Sequence, residues 1–105
     1  MNSESFYRHG TALLSAMANE KRLRILSLLM DREVSVGEIA DFVELSQSAA
    51  SQHLRILRMH HLVRSRRYSQ SIFYYGPSIA VRRVMAALAE DPNTLAGSTG
   101  SEGGP

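Results

Sequence analysis

The chain contains no cysteine and no tryptophan. Without thiols there is no disulfide framework, no thiolate metal site and no thiol redox chemistry, and a cytoplasmic setting is the expectation. Long apolar runs are missing as well. None approaches the roughly 20 residues that a membrane-spanning helix needs, and Met1-Asn2-Ser3-Glu4-Ser5 lacks the basic and apolar regions of a secretory leader. No membrane partner is expected. No internal repeat is present. A length of 105 residues allows one domain with a small core and no second one.

The most informative absence is local. Between Ser46 and Arg83 there is no aspartate or glutamate, yet Arg55, Arg58, Arg64, Arg66, Arg67, Arg82 and Arg83 all fall there, with His53, His60 and His61. The acids are confined to Glu4, to the span from Glu20 to Glu44, and to the end from Glu90 onward. Net charge is only +2. Segregation rather than excess therefore makes one basic face, the electrostatic footprint of a polyanion binder.

Inside that stretch, Ser46 is placed to cap a helix over 46–60, its hydroxyl accepting from the first free backbone N–H groups. Ala50, Leu54, Leu57 and His61 fall on one side of the helical wheel, and Ser48, Ser51, Gln52, Arg55 and Met59 on the other. A solvated helix ordinarily mixes long charged side chains of both signs. This outward face offers short hydroxyls, amides and arginine, the groups that read base edges and neutralise phosphates. Gln47, Ser48, Ser51 and Gln52 are the candidate base-reading residues, and Ser46 and Arg55 the candidate backbone contacts.

Around this helix the chain reads as mainly α. Phe6 to Met17 predicts a first helix, and Asn19 caps a second over 20–30, with Leu23, Leu26 and Leu29 or Met30 buried and Lys21, Arg22 and Arg24 turned partly outward. Ser35 and Glu38 form a capping box, with Val34 and Ile39 as its hydrophobic staple, for a short third helix ending near Val43. Only Glu44-Leu45 separates that helix from Ser46, which is the helix-turn-helix arrangement. After His60-His61 the period drops toward two. Leu62 to Arg67 and Ser71 to Tyr75 flank Tyr68-Ser69-Gln70 as a two-stranded hairpin, a basic wing over 63–75 whose Arg64, Arg66 and Arg67 would hold phosphates or enter the minor groove. Gly76-Pro77 ends the wing, and Ser78 caps a fifth helix to about Ala89. The expected fold is a winged helix-turn-helix with the hairpin between the fourth and fifth helices. The domain should span 1–91, with a Gly/Ser/Thr-rich disordered tail over 92–105.

Three strings in this order resemble those of the ArsR-type winged-helix repressors. Ala18-Asn19-Glu20-Lys21-Arg22-Leu23-Arg24-Ile25-Leu26 is similar to their second helix, Leu45-Ser46-Gln47-Ser48-Ala49-Ala50-Ser51-Gln52-His53-Leu54 to their recognition helix, and Ile72-Phe73-Tyr74-Tyr75 to the end of their wing. Within the family the likeness is greatest to a nodulation-gene repressor that also lacks metal ligands. The resemblance implies an obligate homodimer formed by the first and last helices and bound to a palindromic DNA operator. Phe6, Leu13, Leu14 and Met17 with Val81, Val84, Met85 and Leu88 supply more apolar surface than a small core needs, and so form the candidate interface. Metal-sensing members carry cysteines where this chain has Val34-Ser35-Val36-Gly37, or Asp and His ligands where it has Ile79-Ala80-Val81-Arg82-Arg83-Val84. No metal and no cofactor is expected.

Other readings of the same residues are weaker. His60 and His61 point apart at a helix end, and no carboxylate accompanies them to complete a zinc set. Ser51 and His53 are two apart on a helix, so they do not face each other as a nucleophile and its base. An enzyme is not expected. Met17, Met30, Met59 and Met85 fit gap-filling better than a ligand pocket. A winged-helix protein-interaction adaptor, or a repressor with a small-molecule or metal effector, are the alternatives. Salt-dependent DNA binding separates the adaptor from the repressor.

Overall fold

Every helix after the first starts where a short polar side chain can take up a backbone N–H. Asn19 Oδ1 accepts from Arg22 N–H at 3.0 Å, Ser35 Oγ from Glu38 at 3.3 Å, Ser46 Oγ from Ala49 at 3.0 Å and Ser78 Oγ from Val81 at 3.2 Å. Each such cap is worth about 1 kcal/mol. In the computed structural model, which describes residues 3–94, the resulting order is α1 (Ser3–Met17), α2 (Glu20–Asp31), β1 (Val34–Ser35), α3 (Val36–Val43), α4 (Gln47–Met59), β2 (Arg64–Tyr68), β3 (Ser71–Tyr75) and α5 (Ile79–Glu90). Five helices and a wing in this order are what the sequence predicts.

The wing is larger than a hairpin. β3 is the middle of a three-stranded antiparallel sheet, β1-β3-β2, in which Val34 stands opposite Tyr74 and Ser35 opposite Phe73. Two residues are too few to show a strand period, and their partner lies far along the chain, so β1 has no local signal. The pairing ties the start of the helix-turn-helix to the wing through two buried side chains, Val34 and Tyr74.

The core gathers Ile25, Leu26 and Leu29 of α2 with Ile39 and Val43 of α3, Leu54 and Leu57 of α4, and Leu62, Val63, Tyr74 and Val81. Burying each of the larger aliphatic side chains contributes about 1.5–3 kcal/mol. Ile25, absent from the expected stripe of α2, is fully buried, whereas Leu23 is only half-buried. Leu23 turns toward α5 and lines an apolar groove with Leu14, Met17, Ala18, Val84 and Leu88.

Two expected interface residues are already buried within the chain. Met17 and Val81 are 3% and 0% exposed in the isolated chain and sit in its own core, so Val81 has no surface left to offer a partner. Phe6, Leu14 and Leu88 are exposed, and Leu13, Val84 and Met85 are half-buried at the core's edge. Tyr7, whose ring meets Phe6 edge-on at 5.6 Å, extends this face beyond the expected set.

The capping box forms only by half. Ser35 caps Glu38, but the Glu38 carboxylate pairs with Arg32 instead of returning to the Ser35 N–H. That hydrogen bond holds Glu38 below the usual carboxylate range and raises Arg32. Most of the expected tail lies outside the described residues. Its first residues, Pro92 to Thr94, make an exposed helical turn in which Asp91 Oδ1 accepts from the N–H groups of Asn93 and Thr94. Among the described residues no helix is long and apolar enough to cross a membrane.

Candidate nucleic-acid interface

The turn between α3 and α4 is made by backbone geometry. Glu44 adopts a left-handed conformation (φ 60°, ψ 47°), and its N–H reaches back to the carbonyls of Ala40 and Asp41. Leu45 N–H donates to Ala40 O at 3.0 Å. These bonds satisfy the carbonyls left open at the end of α3, and the reversed φ redirects the chain into the Ser46 cap.

Side chains of α2 then brace the two helices. Lys21 Nζ donates to the carbonyl of Val43 at 2.7 Å, placing a cation at the negative end of the α3 dipole. Arg22 Nε donates to the carbonyl of Ala16, at the end of α1, at 2.6 Å, and its Nη1 lies 3.1 Å from His53 Nδ1 on α4. Arg22 thus links three helices. The expectation that Lys21 and Arg22 point partly outward misses this role; both are half-buried. Asn19-x-Lys21-Arg22 in one helical turn is a visible pattern, but its targets are backbone carbonyls and a distant imidazole, which sequence spacing does not disclose.

The Arg22 contact assigns His53. A guanidinium only donates, so Nδ1 must accept and the imidazole is neutral, with its proton on Nε2. Partial burial, then the charges of Arg22 and Lys21, hold its pKa below the ordinary value. The contact also directs the ring toward Arg22, which leaves the Ser51–His53 pairing without geometry. Because the folded pKa is depressed, the stability this residue contributes is present above the unfolded-state value of about 6.5 and is lost as pH falls through the folded value. Thermal unfolding followed from pH 7.5 to 5 should therefore show a steeper loss for the natural chain than for His53→Gln. Equal slopes would mean that His53 carries no such linkage.

On the opposite side of α4 the predicted reading face is open to solvent. Ser48, Ser51, Gln52 and Arg55 line one shallow depression. No carboxylate lines it, and neither its Arg55 nor Arg58 has an ion-pair partner among the described residues. Gln47 and Ser46 are exposed as expected, but Gln47 is set apart. Its Nε2 lies over the first turn of α3, where a Cβ on Gly37 would approach within 3.4 Å. The structure thus brings together three of the four candidate base readers and Arg55, with Gln47 at the edge.

The wing arginines divide. Arg64 sits at the base opposite Tyr75, and Arg67 stands near the tip opposite Ile72. Both are exposed, with no ion-pair partner among the described residues. Arg66, expected on the DNA backbone, is committed instead to Glu33 in a two-point ion pair. His60 and His61 are exposed and line a surface pocket with His9, Leu13 and Met59. Among the described residues no group of three or more His, Cys, Asp and Glu is arranged to hold a metal ion.

Residues 19–65, from the cap of α2 into the first wing strand, match the family described as "Bacterial regulatory protein, arsR family". The transcriptional activator HlyU of Vibrio cholerae is 51% identical over 76 residues, which cover 72% of this chain and 70% of that protein. The crystal structure of NolR from Sinorhizobium fredii superposes with a TM-score of 0.79 at 45% identity, over 84% of this chain and 88% of NolR. A solution structure from Mycobacterium bovis, described as a homodimeric winged helix-turn-helix DNA-binding domain, superposes with a TM-score of 0.74 at 29% identity, over 82% of this chain and 80% of that one.

Proposed function

Because the chain belongs to the ArsR family of winged helix-turn-helix transcriptional regulators, and is a DNA-binding protein rather than an enzyme, we propose that it works in the cytoplasm as a homodimeric repressor on a palindromic operator. The observation that carries this reading is the acid-free depression formed by Ser48, Ser51, Gln52 and Arg55 on the open side of α4. Hydroxyls and an amide there suit base edges in the major groove, and Arg55 suits the adjoining phosphate. Gln52 reads from the centre of this set and Gln47 from its edge. Ser46, Arg55, Arg64 and Arg67 hold the backbone, with the wing over 63–75 beside the duplex or in its minor groove.

The partner in the dimer is a second copy of the chain. Phe6, Leu13 and Leu14 of α1 and Val84, Met85 and Leu88 of α5 form the contact, with the apolar groove between these helices at its centre. The Mycobacterium bovis relative is described as homodimeric, which supports a dimer of two copies. The working domain is 1–91, with 92–105 as a tail outside it. No metal cofactor is part of the reading: the chain has no cysteine, and the positions from Ile79 to Val84 carry no Asp or His. HlyU is named an activator; repression is proposed here because other relatives, such as the SmtB homolog of Synechocystis at 41% identity, are named transcriptional repressors.

A footprint of the purified chain on its own upstream DNA tests the reading and supplies the operator. On that operator, with a chelator present, Gln52→Ala should cost about 1–3 kcal/mol of binding and little on scrambled duplex. An unchanged ratio between cognate and scrambled DNA would show that α4 does not read bases through Gln52.

A further inference from the structure

Arg66 is the most tightly held cation of the wing. Its Nε donates to Glu33 Oε2 and its Nη2 to Glu33 Oε1, the latter at 3.1 Å. The guanidinium carbon lies 5.5 Å from the centroid of Phe73 and 5.8 Å from that of Tyr68. Sheet order explains the reach. Arg66 stands opposite Phe73, β3 lies between β2 and β1, and Glu33 immediately precedes β1. The side chain therefore crosses the middle strand, lying over an aromatic ring, to meet a carboxylate on the far side. Both partners stay in contact with solvent, at 49% and 33% of their side-chain surfaces.

We propose that Glu33 sets the electrostatic reach of the wing by occupying Arg66 as a phosphate would, so that Arg64 and Arg67 meet the DNA backbone while Arg66 is withheld. This rests on the DNA-binding reading above. Carboxylate and phosphate compete for the same planar fork of donors. A phosphate that captured Arg66 would have to expel Glu33 and leave a bare carboxylate beside the duplex. The two rings hold the guanidinium in the orientation that serves Glu33. Backbone contacts carry no direct sequence information, so the device restrains the unspecific part of the affinity. It also explains why a wing with three arginines has an acid as its neighbour in space but none in its own sequence.

The experiment measures binding to a random-sequence duplex across a salt series for the natural chain, Glu33→Gln, Arg66→Ala, Arg67→Ala and the double variant Glu33→Gln/Arg66→Ala. Glutamine keeps the size of Glu33 and removes its charge. Glu33→Gln should bind about threefold to tenfold more tightly at low salt, with a salt slope steeper by about one unit, as one released phosphate contact requires. Arg67→Ala should be shallower by about one unit. The double variant, which removes both charges of the pair, should keep the natural slope, whereas Arg66→Ala, which leaves the Glu33 carboxylate bare beside the duplex, should bind more weakly at low salt. A natural slope in Glu33→Gln, or a shallower one in the double variant, overturns the proposal. Salt-independent binding by the natural chain would sink the DNA reading itself. In that event the Arg66 Nε–H resonance titrated with inorganic polyphosphate still decides the role of Glu33. A shift only in Glu33→Gln supports the proposal, and equal shifts in both proteins overturn it.

Discussion

Replacing Leu14 with glutamate should yield a folded monomer that has lost most of its operator affinity. Leu14 is 56% exposed on α1 and lines the apolar groove with Leu23, Val84 and Leu88. The substitution therefore removes little of the chain's own core. In a two-fold dimer the same patch is presented by both subunits, so one substitution puts two carboxylates into one apolar contact. Two half-sites bound by one dimer are linked by an effective concentration that separate monomers lack. Losing that link lowers overall affinity by roughly 10²–10⁴-fold without changing any contact to DNA. Light scattering with in-line chromatography gives the mass, and titration of the full operator and of an isolated half-site gives the affinities. A variant that stays dimeric and binds as tightly as the natural chain would place the interface elsewhere than on α1 and α5.

Leu54→Ala should act on the same function by a different route. Leu54 is fully buried on the inner side of the helix whose outer side carries Ser51, Gln52 and Arg55. Truncating a buried leucine leaves a cavity and costs about 2–5 kcal/mol, a large share of the roughly 5–15 kcal/mol that holds a small domain together. The melting temperature should fall by about 10 °C or more. Gln52→Ala, on the exposed side of the same helix, should change stability by less than about 0.5 kcal/mol. Calorimetry on the two variants, beside their operator affinities, separates a helix that is out of place from one that has lost a reading group. A melting point for Leu54→Ala within a degree or two of the natural chain would mean that α4 is not anchored through this side chain.

Much of the architecture is decided by interactions within a turn or two of the chain, and these are legible without coordinates. Asn19, Ser35, Ser46 and Ser78 each cap a helix because a cap joins residues three apart. The polar face of α4 follows from a period of 3.6 residues, and the basic wing from alternation of period two, whichever way the helices pack. The acid-free span from Ser46 to Arg83 is likewise a property of the linear chain. What only the tertiary structure decided involves partners far apart in sequence. Val34 and Ser35 become a strand because β3 arrives beside them. Arg22 becomes a brace because His53 comes within 3.1 Å. Met17 and Val81 are buried in the chain's own core because α1 and α5 pack on α2. Arg66, which shares its strand face and its charge with Arg64, is neutralised by Glu33 across the sheet. A sequence states which side chains carry charge and how they repeat. Which of those charges remains free for a ligand depends on the distance to its nearest counter-charge, and for Arg66 that distance is fixed by the pairing of β2 and β1 on either side of β3.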